Sequence, residues 1–561
     1  MTQGGETRSA AGGTGAEQAD VVVVGAGFAG LYMVHRLRGL GLSVIGFEAG
    51  DDVGGTWYWN RYPGARCDAE SLAYSFSFSP DLEQSWSWTE RYASQPEILD
   101  YARHVAERFD LRRAFRFGRR VDGARFDEPS GRWQVTTSEG DAVSARFCIM
   151  ATGCLSVPQV PDIPGLDNFA GERYQASLWP HEPVSFEGKR VGVIGTGSSA
   201  IQAVPVIAGR ADQVVVFQRT PNFSVPARNE PLDDAFAAEF KRHYREHRRL
   251  AREGKASGFG GLEATPKEQG PALESSRDAS AAELRAILED YWQTGGARFI
   301  GAIGDTLLDE RANELVAAFV RDKIRTIVRD PATAERLCPR SHPIGTKRIC
   351  VDTDYYETFN RDNVALVDLT ETPIERVTPS GVRTAGAEYP LDMLVLATGF
   401  DAMTGALRRI DIRGRGGRAL SDYWRDGPRA YLGLAIAGFP NLFTITGPGS
   451  PSVLSNMLVS IEQHVDWIAD CLQAMADRGA EFIEAEPDAE SGWVAHVNEV
   501  AGATLFPRAG SWYMGANVPG KPRVFMPYAA GVGPYREVCE QVAAAGYEGF
   551  RLTGRAASEP R

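Results

Sequence analysis

The chain has 561 residues, of which 43% are hydrophobic, and its formal net charge is −13. A chain of this length exceeds one ordinary domain, so we expect two or three packed units. The negative charge argues against a general affinity for nucleic acid or anionic membranes, because both need a positive protein surface. We therefore expect a globular protein whose basic sites are local.

The first eighteen residues, MTQGGETRSAAGGTGAEQ, are small and polar, and they predict a disordered tail and not a signal peptide. No later segment reaches the roughly 20 apolar residues that a membrane helix requires. The seven cysteines are scattered without a CxxC pair, which is typical of reduced thiols with packing roles. The histidines form no metal-ligand grouping, so we expect no metal. Together these features predict a cytoplasmic protein.

A βαβ unit is predicted near the start of the chain. Residues 20–24, DVVVV, form a short β-branched run, a helix-like stretch follows to about Gly39, and a second strand is predicted at residues 43–47. The turn between the first strand and the helix reads GAGFAG. This order of strand, glycine-rich turn and helix is typical of a dinucleotide-binding unit.

The three glycines of this turn have the spacing that a pyrophosphate requires. Gly25 permits the tight turn, Gly27 lets the backbone approach the phosphates, and Gly30 allows the helix to pack closely. Glu48 ends the second strand, where a carboxylate accepts hydrogen bonds from ribose hydroxyls. We therefore predict that this first unit binds FAD.

A second unit of the same kind is predicted further along the chain. Residues 189–194, KRVGVI, form a strand that enters a glycine-rich turn, and residues 213–217 form the next strand. No acid ends that strand; Gln218, Arg219 and Thr220 stand there, and a guanidinium at this place suits the additional phosphate of NADPH. The predicted cradle consists of Gly195, Thr196, Gly197, Ser198, Ser199 and Ala200. The second unit is therefore predicted to bind NADPH.

The rest of the chain is organised around these two units. The proline-rich segment 155–165 predicts a linker, and the charged, helix-favouring residues 222–340 predict a helical insertion in the second unit. Two Ala-Thr-Gly turns, at 151–153 and 397–399, are the expected crossings between the units. The fold class is α/β, with two doubly wound, Rossmann-like nucleotide-binding domains. The expected boundaries are a disordered tail at 1–18, an FAD-binding domain at 19–154 and 390–561, an NADPH-binding domain at 155–221 and 341–389, and the insertion at 222–340.

Flavin and nicotinamide in one chain limit its chemistry. Hydride passes from NADPH to the flavin, and the reduced flavin must pass electrons onward. A flavin disulfide reductase needs a redox-active cysteine pair near the first unit, and the lone Cys67 does not supply one. Dioxygen is therefore the expected electron acceptor.

The segment FAGERYQASLWP carries Phe169, Gly171, Gln175 and Trp179 between the two glycine-rich turns. It resembles the fingerprint of the type I Baeyer–Villiger monooxygenases, a group of class B flavoprotein monooxygenases in which histidine normally stands at the position of Gln175. We interpret these four residues as a hinge between the two nucleotide domains. The resemblance spans nearly the whole chain after the tail, and other matching stretches include GGTWYWNRYPGARCDAES (54–71), GTKR (345–348), LATGFDAMTGAL (396–407), GPGSPSVLSNMLVSIEQHV (447–465) and SWYMGANVPGKPRVFM (511–526).

The resemblance implies a function and two catalytic residues. It implies an NADPH- and dioxygen-dependent conversion of ketones to esters or lactones through a C4a-peroxyflavin, with the capacity to oxidise some sulfides. The small ketone and dioxygen are the implied partners, and a monomer is a plausible state. By the same likeness, Arg348 would stabilise the peroxide anion and then the oxyanion of the adduct, and Asp68 would orient Arg348.

The other site residues are also implied by the resemblance. FAD contacts are implied for Glu48, Thr56, Trp57, Tyr58, Trp59, Asp68, Tyr74, Val121 and Met457, and nicotinamide contacts for Arg66, Cys67 and Asp68. Lys347 would join Arg219 at the 2′-phosphate, flanked by Gln218 and Thr220, and Trp512 would lie on a mobile loop that touches NADP and closes the site. Ser452, Val453 and Leu454 would select the ketone, where valine beside leucine suggests a somewhat narrow apolar wall.

Two alternative functions remain open at this point. An N-hydroxylating or flavin-containing monooxygenase shares both nucleotide cradles but lacks the sequence contexts of Arg348 and Asp68. An uncoupled NADPH oxidase is the other alternative, because Gln175 replaces the fingerprint histidine. Glutamine keeps a hydrogen-bond donor and an acceptor but cannot titrate near neutral pH.

Overall fold

The computed structural model describes residues 17–254 and 272–554. The strands in these residues are β1 (Glu17–Val24), β2 (Val44–Phe47), β3 (Phe115–Arg116), β4 (Val121–Asp127), β5 (Arg132–Thr137), β6 (Ala142–Met150), β7 (Glu172–Gln175), β8 (Arg190–Ile194), β9 (Gln213–Gln218), β10 (Ser224–Pro226), β11 (Cys350–Asp352), β12 (Val364–Asp368), β13 (Ile374–Thr378), β14 (Gly381–Thr384), β15 (Glu388–Pro390), β16 (Met393–Leu396), β17 (Asp411–Arg413), β18 (Leu442–Thr444), β19 (Phe482–Ala485) and β20 (Phe550–Thr553). The α-helices are α1 (Phe28–Gly39), α2 (Thr56–Trp59), α3 (Pro80–Ser85), α4 (Gln95–Arg108), α5 (Ser198–Ala208), α6 (Asp234–Arg242), α7 (Tyr244–Glu253), α8 (Ala281–Thr294), α9 (Glu310–Ile327), α10 (Pro331–Leu337), α11 (Tyr355–Thr358), α12 (Gly405–Arg409), α13 (Leu420–Tyr423), α14 (Met457–Asp477), α15 (Pro487–Gly502) and α16 (Val532–Ala544).

The first sheet has eight strands, and β1 lies in its middle. The strand order is β17-β4-β5-β6-β1-β2-β3, and β18 pairs with β6. Val21 and Val23 of β1 belong to one hydrophobic cluster, whereas Val22 and Val24 belong to another. Because both faces of this strand are covered, its run of four valines is uninterrupted by polar residues. Helices α1 and α14 pack against each other over the first of these faces.

The second sheet has five parallel strands in the order β12-β9-β8-β16-β7. Strands β8 and β9 and helix α5 form the predicted second βαβ unit. Strand β16 corrects a boundary, because the sequence places residues from 390 onwards in the first domain, whereas β16 lies between β8 and β7 of the second sheet. Its apolar sequence MLVL carries no local sign of the sheet that it joins. The chain returns to the first sheet only after β16.

The chain crosses between the sheets after β6 and again after β16, and each crossing begins at an Ala-Thr-Gly turn. The two connections run antiparallel beside each other. The Asp401 N–H donates to the Val157 carbonyl, and the Gln159 N–H donates to the Gly399 carbonyl, each at 2.9 Å. These connections therefore form one two-stranded link between the sheets. We call this link the double crossing; it consists of residues 151–159 and 397–403.

Two further boundaries differ from expectation. Strand β1 begins at Glu17, so residues 17 and 18 belong to the first sheet and not to the expected tail, whose residues 1–16 lie outside the described part of the chain. The expected helical insertion contains α6 to α10, but it opens with strand β10, which pairs in parallel with β11. Pairing between segments so distant in the chain leaves no mark in the local composition.

The fingerprint segment is part of the second sheet and not a free connector. Strand β7 forms the edge of that sheet and pairs with β16, with Gln175 opposite Leu396. A Cβ on Gly171 would lie 2.4 Å from the Asp392 carbonyl oxygen, so only glycine fits this approach. Trp179 is buried, and its ring packs 5.1 Å from that of Tyr174. The segment is thus anchored on both sides of Gln175.

All seven cysteines are buried, and none forms a disulfide. Cys148 lies on β6 in the core of the first sheet, and Cys471 lies on α14 in the cluster that covers its other face. Their positions agree with the packing role expected of them. No helix in the described residues has both the length and the apolar composition needed to span a membrane.

Candidate active site

The first glycine-rich turn connects β1 to α1 with close backbone contacts. Gly25 has φ +108°, and a Cβ there would lie 2.5 Å from the Ala151 carbonyl oxygen. A Cβ on Gly30 would lie 1.8 Å from the Gly25 carbonyl oxygen. Both positions therefore require glycine, as the sequence indicated. Gly27 is the N-cap residue of the twelve-residue helix α1 and has no side chain that could cap it. The backbone N–H groups at the start of the helix therefore face the turn.

Glu48 lies beside this turn, at the end of β2. Its carboxylate accepts hydrogen bonds from the backbone N–H of Ala26 at 2.7 Å and from that of Gly50 at 2.8 Å. Burial raises the pKa of Glu48, while these two hydrogen bonds act in the opposite direction. The side chain is thus fixed against the cradle where the sequence places the ribose-binding acid. Val121 begins β4 close by, two residues after Arg119, whose N–H donates to the Glu48 carbonyl.

The second glycine-rich turn connects β8 to α5 in the same way. Gly195 has φ +120°, and a Cβ there would lie 2.3 Å from the Ala397 carbonyl oxygen. A Cβ on Gly197 would meet no protein atom within 4 Å. The space in front of Gly197 is therefore open, which is what a pyrophosphate at the start of α5 needs. Ser198, Ser199 and Ala200 form the first turn of α5, and the Thr196 hydroxyl donates to the Thr220 carbonyl at 2.6 Å.

A cluster of basic side chains lies at the end of β9. Burial, together with the charge of the exposed Arg219, lowers the pKa of Lys347. Among the described residues, neither side chain has a carboxylate partner within salt-bridge distance. Gln218 is buried and donates to the Arg336 carbonyl at 2.7 Å. Two cations without an acid partner form a suitable site for a phosphate.

His342 is a member of this cluster that the sequence did not single out. Residues 342–347 form a turn in which Asn313 exchanges two hydrogen bonds with the backbone of Ile344, each at 2.9 Å. Burial, together with the charge of Lys347, lowers the pKa of His342 to about 4. The imidazole is therefore neutral at neutral pH and adds no charge to the cluster. The local sequence, histidine followed by proline, does not indicate that His342 lies beside Lys347. That position results from the tertiary fold.

Arg348 and Asp68 form a bidentate ion pair. The guanidinium Nε lies 2.8 Å from Asp68 Oδ2, and Nη2 lies 2.8 Å from Oδ1. A third nitrogen, Nη1, donates to the Val453 carbonyl at 2.5 Å. The charge of Asp68 raises the pKa of Arg348 despite the opposing effect of burial. The guanidinium is thus a permanent cation that is held from two sides.

The predicted ketone-selecting residues touch this cation through their backbone. Ser452–Leu454 form one turn of 3₁₀-helix in which all three side chains are buried. Because the Val453 carbonyl accepts from Arg348, the turn and the ion pair have a fixed relative position. Met457 follows as the first residue of α14 and is half-buried.

Aromatic side chains surround the predicted flavin positions. Residues Thr56–Trp59 form the short helix α2, and Trp57 Nε1 donates to the Tyr74 hydroxyl at 3.1 Å, with ring centroids 5.9 Å apart. Burial raises the pKa of the neighbouring Cys67 thiol, so this cysteine is not a thiolate.

Arg66, an expected nicotinamide contact, is held by partners within the protein. Its guanidinium pairs with Glu90 at 2.5 Å and donates to the Tyr92 carbonyl at 2.6 Å. The backbone carbonyl of Arg66 accepts from Gln202 of α5 at 3.1 Å. Arg66 therefore connects the first unit to the helix of the second cradle. Neither Glu90 nor Gln202 belongs to a motif, so the sequence did not indicate them.

Trp512 lies in a loop that also brings Tyr513 to the ion pair. Trp512 is half-buried, and its ring centroid lies 4.3 Å from that of Tyr513, which is fully buried. Burial raises the pKa of Tyr513 to about 12, while the positive charge of Arg348 acts in the opposite direction. The sequence selected the tryptophan and missed the tyrosine, which interacts electrostatically with Arg348.

Gln175 has an incomplete set of hydrogen bonds. Its Nε2 lies 3.4 Å from the Ser177 hydroxyl, and its buried Oε1 has no partner among the residues that the structure describes. The side chain lies at the carboxyl end of β7, next to the strand that enters the second crossing. No group of three or more metal-binding side chains occurs within the described part of the chain.

Comparison with known proteins gives concordant results along the chain. A family model described as pyridine nucleotide-disulphide oxidoreductase matches residues 22–278. The chain is 42% identical to a Baeyer–Villiger monooxygenase of Pseudooceanicola batsensis, over 94% of this chain and 95% of the relative. It is also 42% identical to the phenazine N-monooxygenase PhzNO1 of Lysobacter antibioticus, over 95% and 97%. An oxidised steroid monooxygenase bound to NADP has a TM-score of 0.90 and 54% identity, over 96% and 99%.

The open space at Gly197 can be tested without any turnover. Gly197→Ala should weaken NADP⁺ binding about 10-fold or more, because the added methyl group occupies the space in front of the helix. The free energy of unfolding should change by less than about 0.5 kcal/mol, since the methyl group meets no protein atom. Calorimetric titration and urea denaturation measure the two quantities. Gly492→Ala, whose Cβ also meets nothing, is the matched control and should leave NADP⁺ binding unchanged; equal binding in both variants would contradict the assignment.

Proposed function

Because the chain belongs to the Baeyer–Villiger monooxygenases, we propose that Arg348 and Asp68 form its catalytic centre. The protein is an NADPH-dependent oxidoreductase that uses FAD and dioxygen to convert ketones to esters or lactones. When bound, FAD and NADPH supply the two electrons with which one atom of dioxygen enters the ketone and the other leaves as water. The observation that supports the catalytic centre is the guanidinium held between Asp68 and the ketone-selecting turn.

Arg348 supplies a positive charge that does not depend on pH. Baeyer–Villiger oxidation passes through anionic species, and a fixed cation in a site with little water stabilises them strongly. Asp68 holds two guanidinium nitrogens, and the Val453 carbonyl holds the third. The cation therefore needs no reorganisation when negative charge develops beside it.

The ketone is proposed to lie beside Arg348 and the turn Ser452–Leu454, which contact each other directly. The buried aromatic rings of Trp57 and Tyr74 and the ring of Tyr513 limit access of water to this region. Exclusion of water favours transfer of oxygen to the ketone over release of hydrogen peroxide. The apolar side chains of Val453 and Leu454 favour an uncharged ketone with apolar substituents.

The nicotinamide cofactor is proposed to bind across the second glycine-rich turn. The start of α5 would hold the pyrophosphate, and Arg219 and Lys347 would hold the 2′-phosphate that distinguishes NADPH from NADH. The first turn, with Glu48, would hold FAD in the corresponding way. The two cofactors would then meet where Arg66 contacts Gln202.

One observation favours a second activity on nitrogen or sulfur atoms. The phenazine N-monooxygenase is as similar to this chain as the Baeyer–Villiger relative is, at 42% identity. The unpartnered Oε1 of Gln175 is a reason to measure uncoupled oxidation of NADPH as well.

We further propose that the protein acts as a monomer in the cytoplasm, where its seven free cysteines stay reduced.

The proposed reaction can be tested directly on the holoenzyme. Incubation with NADPH, ¹⁸O₂ and a phenyl-substituted ketone should yield an ester that contains one ¹⁸O atom, as mass spectrometry would detect. Consumption of NADPH and formation of hydrogen peroxide are measured in the same reaction. Formation of an N- or S-oxide alone from added amines and sulfides, or of one hydrogen peroxide per NADPH with every ketone, would contradict the proposal.

Arg348→Ala should abolish ester formation while FAD remains bound and reducible. Loss of the fixed cation should lower the rate of ester formation at least about 100-fold, as for loss of one oxyanion-stabilising donor. Flavin absorbance measures cofactor content, stopped-flow measures its reduction, and chromatography measures the ester. Arg348→Lys keeps the charge without the bidentate pair and should retain part of the activity. Undiminished ester formation by Arg348→Ala would refute its role.

Arg219→Ala should weaken the binding of NADPH more than that of NADH. A hydrogen-bonded ion pair with the 2′-phosphate is worth about 1–3 kcal/mol, so KM for NADPH should rise about 5- to 150-fold while KM for NADH changes little. Arg210→Ala removes an exposed arginine just after the other end of α5 and should change neither constant. Equal losses for both cofactors in Arg219→Ala would exclude 2′-phosphate recognition by this residue.

A further inference from the structure

The loop that carries Trp512 is attached to the double crossing by a buried ion pair. Lys521 Nζ lies 2.6 Å from Asp401 Oδ1 and 2.7 Å from the Ala402 carbonyl oxygen. The Lys521 side chain is only 4% exposed, and that of Asp401 is 20% exposed. Asn517 adds a hydrogen bond from its Nδ2 to the Phe400 carbonyl at 2.6 Å. Two side chains of the loop thus hold three consecutive residues of the second crossing.

The other end of the same loop lies at the proposed catalytic centre. Tyr513 is fully buried beside Arg348, and its carbonyl accepts from the N–H of Met526 at 2.9 Å. The Met526 carbonyl in turn accepts from the N–H of Gly449, just before the ketone-selecting turn, at 2.7 Å. Residues 512–526 therefore extend from the ion pair of Arg348 to the link between the two sheets.

The ammonium group of Lys521 depends on the position of its two oxygen partners. An ammonium group removed from water is stabilised only while its carboxylate and carbonyl partners stay in place, and separation of the pair leaves an isolated charge. The position of Asp401 depends in turn on the double crossing, because its N–H donates to the Val157 carbonyl on the first connection. Displacement of the two connections would therefore break the ion pair and release the loop.

We propose that Lys521 and Asp401 are positioning residues that keep the 512–526 loop closed over Arg348 while the double crossing is in register. The proposal rests on the proposed function of the catalytic centre. The pair connects the arrangement of the two nucleotide-binding units to exclusion of water from the site. Without the pair, the loop opens more often, water enters, and more of the electrons from NADPH form hydrogen peroxide in place of ester.

The first experiment measures opening of the loop without substrate. Trypsin cleaves after the exposed Arg523, whereas Lys521 precedes a proline, so Lys521→Met removes no good cleavage site. The cleavage rate after Arg523, followed by mass spectrometry on the holoenzyme with and without NADP⁺, should rise about 5- to 10-fold in Lys521→Met, because cleavage follows the population of the open form. Asp401→Asn should give a similar increase. In the double variant the second change should add less than about 2-fold, since the pair acts as one unit.

A control variant separates this effect from a general consequence of losing a lysine ion pair. Lys323, in the helical insertion, forms a pair of similar length, 2.7 Å, with Glu289, in which the side chains are 20% and 41% exposed. Lys323→Met should leave the cleavage rate after Arg523 unchanged. The pair has no positioning role if trypsin cleaves Lys521→Met after Arg523 at the native rate, or if cleavage at all tryptic sites is accelerated equally.

The second experiment distinguishes an effect on coupling, the ester formed per NADPH consumed, from an effect on the reduction of the flavin. In Lys521→Met, ester formed per NADPH should fall at least about 2-fold, while the rate of flavin reduction by NADPH stays within about 2-fold of native. Unchanged coupling would overturn the proposal even if cleavage increased. If the native chain forms no ester at all, the proposed function fails, and the cleavage experiment still decides whether Lys521 and Asp401 hold the loop.

Discussion

The pairing of Arg348 with Asp68 is the interaction on which the organisation of the site depends. Arg348 precedes β11, Asp68 belongs to the first unit, and the third guanidinium contact is the carbonyl of Val453. Loss of either partner would leave the other, partly buried charge without its counterion. A single side chain therefore holds three distant segments of the chain together. The same contacts fix the guanidinium in the position from which it is proposed to stabilise negative charge during the reaction.

The two sheets give this pair its setting. The backbone carbonyls of Ala151 and Ala397, where the two crossings begin, lie against Gly25 and Gly195. Each glycine-rich turn is thus packed against a connection to the other sheet. A shift of the double crossing would displace the backbone of both glycine-rich turns, because no space for a side chain separates each turn from its crossing. Backbone packing thus adds to the side-chain contacts of Arg348 and Gln202 in fixing the relative position of the two nucleotide sites.

Local patterns predicted most of the fold and part of the site. The valines of β1 and the two glycine-rich turns indicated both βαβ units, and these features depend only on neighbouring residues. Sheet membership of β16 and the pairing of β10 with β11 depend on partners far away in sequence, so no local pattern reveals them. The same reason applies to Tyr513 and Lys521. Tyr513 reaches the site and Lys521 reaches the double crossing through one loop, whose course is determined by tertiary contacts.

Gln175 shows how a departure from a fingerprint constrains the chemistry at that position. Oε1 of Gln175 is buried and has no hydrogen-bond partner among the described residues, whereas the strand around it is firmly paired. Glutamine cannot change its charge between pH 5 and 8, whereas histidine can. Any communication between the two sheets at this position must therefore operate through hydrogen bonds and packing. The edge strand β7 supplies the packing, and its pairing with β16 leads directly into the second crossing, where Asp401 holds the loop.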